Sequence, residues 1–345
     1  MIRIGIVSPA EIAFRRFMPA LKKASGFEYV GVAIYNRSER FGKTQNLSEE
    51  ETAVLARAEQ KGADFVEQYG GKLYHGYAQL IGSDEIDAVY IPLPPALHDT
   101  YACMALEQGK HVLIEKPASV ALLQTERMVA MAKERGLALH ENYMFVYHSQ
   151  LQKLKEILDS GKIGNVRLYS LRFGFPKRAE GDFRYKKEMG GGALLDAGGY
   201  TIKLAGLLLG PSAKVVCAVL NTEPAYDVDL YGSVTLVNDE NVTVQAAFGM
   251  DNDYKCELEV WGSLGSMKTD RIFTAPPEFH TTVKLHLGNQ EEQAELVQDD
   301  AFLKSIEAFG CCVENDTVRQ NAYQEIIWQA KLVDQTMNFR RQTGV

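Results

Sequence analysis

The chain has 345 residues, 46% of them hydrophobic, with 37 Lys and Arg against 45 Asp and Glu for a formal charge of -8. A single core stops growing at about 250–300 residues, so two domains are expected; an acidic balance without a Lys/Arg stripe argues against a nucleic-acid partner. The five cysteines, Cys103, Cys217, Cys256, Cys311 and Cys312, form no CxxC pair, so neither a disulfide framework nor a metal site is expected, and a reducing, cytoplasmic compartment fits.

The N-terminus, MIRIGIVSP, reads as a strand rather than a leader. No apolar run approaches the ~20 residues that span a bilayer, so no membrane contact is expected. Strands are predicted at Met1–Val7, Tyr29–Ile34, Ala88–Pro92, His111–Ile114 and Ala138–Glu141, with helices at Phe14–Lys23, Glu49–Tyr69, Tyr101–Gln108 and Leu123–Arg135. This alternation predicts an α/β domain with a parallel, doubly wound sheet of the Rossmann type. Within it the polar, Glu-rich stretch Gly42–Gln60 reads as an addition carrying a solvent-facing helix.

Beyond residue 150 the rhythm changes. A helix at Gln150–Ser160 leads to a strand at Gly164–Phe175, then a polar loop, a glycine cluster and a helix from Ala193 to Leu208. Strands follow at Val215–Leu220, Tyr231–Leu236, Val242–Gly249, Cys256–Trp261, Ser266–Thr269 and Thr282–His286, and helices at Ala301–Asn315 and Val318–Arg340 close the chain. Strands joined by short turns predict a second α/β domain built on an open, mostly antiparallel sheet. The expected division is 1–145 and 146–345, with the last helix packing back on the first domain.

A dinucleotide site needs a strand, a tight turn and a helix N-terminus aimed at the pyrophosphate. After Ile4–Val7 the turn reads Ser8-Pro9-Ala10-Glu11-Ile12-Ala13. In register with G-x-G-x-x-G/A, Ser8 replaces the first glycine, Ala10 the second, and Ala13 holds the third position. By itself this is a weak signal, equally compatible with a plain βα loop; its place after the first strand strengthens it. At the end of the second strand Asn36 stands where NAD-selective sites carry an acid, with Arg37 beside it. A guanidinium grips a 2′-phosphate that a carboxylate would repel, so NADP is preferred over NAD.

Two further motifs sit at strand ends, where open α/β sheets bind ligands. Pro92-Leu93-Pro94-Pro95-Ala96-Leu97-His98 follows one buried strand and Gly109-Lys110-His111-Val112-Leu113-Ile114-Glu115-Lys116-Pro117 ends the next. A third, Gly190-Gly191-Gly192-Ala193-Leu194-Leu195-Asp196-Ala197-Gly198-Gly199-Tyr200, opens a helix on which Asp196 and Tyr200, four apart, share a face that Lys203 continues. The glycines are expected to let cofactor or substrate approach closely.

The GKHVLIEKP run and the glycine-led helix closely resemble the signatures of the Gfo/Idh/MocA family of NAD(P)-dependent sugar and polyol oxidoreductases. The resemblance implies a Rossmann domain followed by a substrate domain whose open sheet often forms a homodimer or homotetramer interface. It implies that Lys116 faces nicotinamide and substrate. Tyr200 stands where many members carry a catalytic His, as in the dihydrodiol/xylose dehydrogenase and sugar-nucleotide 3-ketoreductase branches. Phe183-Arg184-Tyr185 and Arg271-Ile272-Phe273-Thr274-Ala275-Pro276-Pro277 look most like the latter branch. Glu141-Asn142-Tyr143-Met144-Phe145-Val146 departs from the common pattern, with Val146 where a basic residue often appears.

The implied reaction is hydride transfer between nicotinamide and a carbinol or ketone carbon of a sugar-like substrate. Tyr200 would act as acid/base, its phenol (pKa ~10 when unperturbed) activated by the Lys116 ammonium. Asp196 is assigned to orienting Lys116 or a sugar hydroxyl, Arg184, Tyr185 and Tyr143 to substrate contact. The cofactor set is Ser8 to Ala13, Asn36, Arg37, Pro92, Leu93, Pro94, His98, Glu115 and Lys116. Two rivals stay open, a free-sugar or trans-dihydrodiol dehydrogenase and a non-catalytic dinucleotide sensor, because a fold does not fix a function.

Overall fold

The structure is a computed structural model and describes residues 1–42 and 45–343. These residues form two compact units, one of residues 1–119, 123–142 and 305–327, the other of 120–122, 143–304 and 328 onward.

Unit 1 is built on strands β1 (Ile2–Val7), β2 (Phe27–Ile34), β3 (Lys72–His75), β4 (Ala88–Ile91), β5 (His111–Ile114) and β6 (Leu139–Glu141). They pair in the order β3-β2-β1-β4-β5-β6, every pairing parallel. The sequence explains this: β4 is buried along its whole length and β1 over its last four residues, as strands covered on both faces must be. The order reverses between β1 and β4, which places the ends of β1, β2, β4 and β5 around the crevice where such sheets bind ligands.

No strand is predicted where β3 lies. It has four residues, of which only Tyr74 is buried, so no apolar run marks it. The helix expected at Tyr101–Gln108 begins at Pro95, whose missing N–H and fixed φ suit a first turn. The helix Glu49–Tyr69 starts on a Ser48/Glu51 capping box, and its N-terminal half is mostly exposed. Lys43 and Thr44, part of the stretch read as an addition, lie outside the described residues.

Unit 2 holds an eight-stranded sheet of β7 (Val166–Gly174), β8 (Lys214–Thr222), β9 (Asp229–Val237), β10 (Thr243–Gly249), β11 (Lys255–Gly262), β12 (Ser266–Asp270), β13 (Thr282–Leu287) and β14 (Gln290–Glu295). Its order is β14-β13-β12-β11-β7-β10-β9-β8. β7 and β10 run parallel and the other neighbours antiparallel. β14, Gln-Glu-Glu-Gln-Ala-Glu, has no apolar alternation to betray it; it exists because β13 offers an edge to pair with. One face of the sheet is covered by the helix Gly199–Leu209, buried at nine of its eleven positions. The helical run Lys187–Leu209 is long and apolar enough to cross a bilayer, contrary to the expectation that no segment is. Its apolar window is 78% buried inside the protein, as befits a core helix.

Candidate active site

In unit 1 the turn after β1 shows how a serine replaces a glycine. Ser8 takes φ 99°, a region L-residues rarely enter, and its N–H donates to the Ala33 carbonyl at 3.1 Å. The strain is tolerated because β1 and β2 fix the residue on either side. Phe14 N–H reaches back to Ala10 O at 3.0 Å, so the helix begins at the turn and its first N–H groups, at Glu11, Ile12 and Ala13, point out of its N-terminus. Pro9, Ala10 and Ile12 are half-buried, whereas Glu11 is exposed and paired with Arg15 at 2.7 Å.

At the end of β2, Asn36 caps the short helix Arg37–Phe41. Its side chain accepts from Glu39 N–H, and Glu39 accepts from Asn36 N–H, both at 2.9 Å. Glu39 also accepts from Tyr77 N–H at 3.0 Å and Ala78 N–H at 2.9 Å, stitching two helix starts together. Asn36 is thereby committed to the protein, and two exposed cations, Arg37 and Arg40, stand at this strand end. Glu39 is a residue that sequence reasoning missed, although the Asn-x-x-Glu spacing is itself a capping signature.

Past β4, Pro92 and Leu93 are buried and Pro94 half-buried. His98, expected to line the cofactor side, is fully buried, with Nδ1 2.8 Å from Pro117 O and Nε2 2.7 Å from Leu93 O. Burial pushes its pKa down to about 4, against those two carbonyls, which favour the protonated ring. In this structure it clamps the Pro92–Pro94 and Lys116–Pro117 loops together from inside.

Glu115 accepts from the Tyr90 phenol and from Asn142 Nδ2, each at 2.7 Å. Burial raises its pKa, opposed by those two donors and by the Lys116 charge. Asn142 in turn accepts from Ser305 Oγ at 2.8 Å, and Phe17 stacks on the Tyr90 ring at 3.8 Å. The ends of β4, β5 and β6 are thus cross-linked directly behind Lys116.

In unit 2, Tyr200 is 7% exposed inside a box of aromatic rings, Tyr143, Phe145, Phe173 and Phe273, with centroids 5.1–6.0 Å away. Tyr143 itself is buried, its phenol 3.4 Å from Gln329 Nε2, which also donates at 2.9 Å to Gly199 O at the start of the Tyr200 helix. Asp196 and Arg184, assigned separate roles above, form one unit: Arg184 Nε donates to Asp196 at 2.6 Å and Nη1 to Asp182 at 3.2 Å. Burial alone would lower the Arg184 pKa, but the Asp196 and Asp182 carboxylates outweigh it and hold the guanidinium more firmly charged. The Tyr185 phenol accepts from Arg178 N–H at 2.8 Å and donates to Met250 O at 3.3 Å.

At two glycines of the run the close neighbour is the protein itself. A Cβ at Gly191 would lie 2.3 Å from Arg184 O, and one at Gly192, where φ is 117°, 2.5 Å from the Asp229 carboxylate. Gly191 and Gly192 thus admit the protein's own main chain and Asp229. Gly192 N–H donates to Arg184 O at 2.9 Å, and Asp229 accepts from Leu194 N–H at 2.7 Å, pinning the start of the Tyr200 helix. Asp229 comes from β9 and carries no local sequence signal.

Two family models match this chain. The model described as "Oxidoreductase family, NAD-binding Rossmann fold" covers residues 15–143, and the "GFO/IDH/MocA C-terminal domain" covers 151–268. A dTDP-3,4-didehydro-2,6-dideoxy-alpha-D-glucose 3-reductase from Actinomadura kijaniata is 38% identical over 333 residues, 96% of this chain and 94% of that one. The chain belongs to the Gfo/Idh/MocA oxidoreductase family.

A similarly named reductase from Streptomyces violaceoruber is 35% identical over 96% of this chain and 94% of its own length. The solved 3-ketoreductase from Actinomadura kijaniata, in complex with NADP and TDP-benzene, superposes with a TM-score of 0.88 at 37% identity, covering 98% of this chain and 97% of that one. Family membership fits the two-unit architecture, a parallel sheet followed by a mostly antiparallel one. The Rossmann match begins at residue 15, past the departures at Ser8 and Ala10. Among the described residues no three His, Cys, Asp or Glu side chains are grouped to hold a metal.

The buried clamp makes one prediction within this family frame. His98→Ala leaves two loop carbonyls without their imidazole and opens a void, costing about 2–4 kcal/mol. Denaturant unfolding measures it; a midpoint equal to that of the parent would remove His98 from this role.

Proposed function

We propose that this protein is an NADP-dependent ketoreductase acting on the keto carbon of a nucleotide-linked deoxysugar, with Tyr200 as proton donor and Lys116 as the positive charge beside the reacting oxygen. The observation that carries the reading is the similarity, over 96% of the chain, to the Actinomadura kijaniata 3-reductase. Solved variants of that 3-ketoreductase replace a tyrosine by phenylalanine and a lysine by alanine or glutamate, the two residue types to which this reading gives the chemistry here.

The residues present fit a dinucleotide. The N–H groups of the first helical turn at Glu11–Ala13 would hold the pyrophosphate, Ser8 opens the turn at a positive φ, and Arg37 would meet the 2′-phosphate. When bound, the reduced nicotinamide supplies a hydride. Tyr200 delivers its phenolic proton to the oxygen as negative charge develops there, and Lys116 stabilises both that oxygen and the resulting phenolate. The Arg184–Asp196 pair holds the Tyr200 helix in place. Further parts of the reading are a cytoplasmic location and self-association through the outer face of the second sheet, where Tyr231 and Trp261 are exposed; a solution mass of twice or four times the chain's is the expected result.

The test is NADPH oxidation with a TDP-linked 3-ketodeoxysugar against free xylose and a trans-dihydrodiol. Turnover of the nucleotide sugar, with NADPH preferred to NADH, is expected; oxidation of only the free sugar or diol would replace this reading. Arg37→Gln should narrow the preference for NADPH by about tenfold, the worth of one charge-assisted phosphate contact. An unchanged ratio would move the 2′-phosphate elsewhere.

A further inference from the structure

A nucleotide-linked substrate carries a diphosphate, and the cations near the Tyr200 end of the second sheet are mostly spoken for. Arg184 is bridged to Asp182 and Asp196. Arg172, Lys255 and Lys268 surround the buried Glu257 carboxylate at 2.9, 3.7 and 3.0 Å. Lys177 interacts with the Tyr226 phenol and with Asp251. Arg178 is exposed, with the single Phe175 ring beneath it at 5.0 Å.

Arg271 differs from all of these. Its guanidinium lies over two rings, Tyr254 at 4.6 Å and Phe279 at 5.6 Å, and its Nη1 donates to the Tyr254 oxygen at 2.8 Å. Tyr254 can pass its own proton on to Thr274 Oγ1, 3.2 Å away. Among the described residues no carboxylate comes within the 4.0 Å of an ion pair with this side chain. The backbone is unusual too: Arg271 has φ 57°, a left-handed conformation seldom used by a non-glycine residue. The conformation is supported from below by buried Gln150, whose Nε2 donates to Ile272 O at 3.0 Å. The fold holds a half-buried cation in a fixed orientation without neutralising it.

The sheet register puts this cation at the right end. Lys255, which follows Tyr254, pairs with Gly174 at the end of β7, and Glu257 pairs with Asp270, which precedes Arg271. At that same end Phe173 lies 5.1 Å from the Tyr200 ring, and Phe273, two residues beyond Arg271, lies 6.0 Å from it. A guanidinium oriented on an aromatic platform presents a planar fork of donors, the geometry that suits phosphate oxygens.

Resting on the nucleotide-sugar reading, we infer that Arg271, seated on Tyr254 and Phe279, binds the diphosphate of the substrate and so selects nucleotide-linked over free sugars. It is a binding and specificity residue, with no part in proton transfer.

The experiment measures TDP binding to the full-length protein by calorimetry, with NADPH present. Arg271→Gln should weaken TDP by at least about tenfold, with a flatter salt dependence, while NADPH affinity is unchanged; Arg271→Lys, which keeps the charge, should lose less. Tyr254→Ala, at a half-exposed position, removes the platform alone and should weaken TDP as well, which guards against an unfolded Arg271→Gln. TDP affinity equal to the parent's in folded Arg271→Gln, or in Tyr254→Ala together with Arg271→Lys, overturns the inference and leaves the ketoreductase reading standing. Failure of the parent protein to bind TDP at all overturns the nucleotide-sugar reading, and this inference with it.

Discussion

Replacing Tyr200 by Phe is expected to lower turnover of the ketosugar by about a hundredfold to ten-thousandfold while NADPH binding and the folded structure persist. The substitution removes one oxygen from a ring whose packing is supplied by four aromatic neighbours, Tyr143, Phe145, Phe173 and Phe273. Its bulk, and therefore the shape of the box, is unchanged. What is lost is the one proton donor assigned to the developing alkoxide. Because that interaction strengthens as charge develops, kcat should fall more than KM rises. Lys116→Ala should lower kcat by a comparable factor. Single-turnover rates with NADPH in excess separate chemistry from product release; a parental rate in Tyr200→Phe would remove the phenol from the mechanism.

The candidate pair stands out in the sequence for a physical reason. Lys116 and Tyr200 lie inside contiguous motifs, and each motif sits where the chain passes from one regular element to another. Short apolar strands such as Ala88–Ile91 are equally legible, since burial on both faces demands a continuous apolar run. The unread parts depend on partners distant in sequence. Asp229 is a carboxylate at the start of a strand, and nothing around it announces that it reaches Leu194 N–H, 35 residues earlier. β14 is a strand by virtue of β13. Arg184 reads as a substrate contact, and nothing in its segment announces that it pairs with Asp196 and Asp182. Gly191 and Gly192 show the same limit, because sequence shows the space a glycine makes without showing that Arg184 O and Asp229 lie against it.

That close approach leads to the second large effect. Gly191→Ala is expected to destabilise unit 2 by about 2–4 kcal/mol and to lower turnover with it. Gly191 is not among the glycines with positive φ, so alanine is conformationally acceptable there and the substitution measures crowding alone. The new methyl would lie 2.3 Å from Arg184 O, 2.7 Å from Arg184 C and 2.9 Å from Lys186 O. All three are main-chain atoms, so no side-chain rotation relieves the clash. The turn at Phe183–Tyr185 must retreat, which stretches Gly192 N–H to Arg184 O and draws the guanidinium away from Asp196. Asp196 then keeps a half-buried carboxylate without its closest cation, on the helix that carries Tyr200, so stability and catalysis decline together. Gly82→Ala is the matched control, since a methyl there meets nothing closer than 3.3 Å. A Gly191→Ala protein with the control's unfolding midpoint and the parent's kcat would show that the glycine run does not hold the Arg184 turn against the Tyr200 helix.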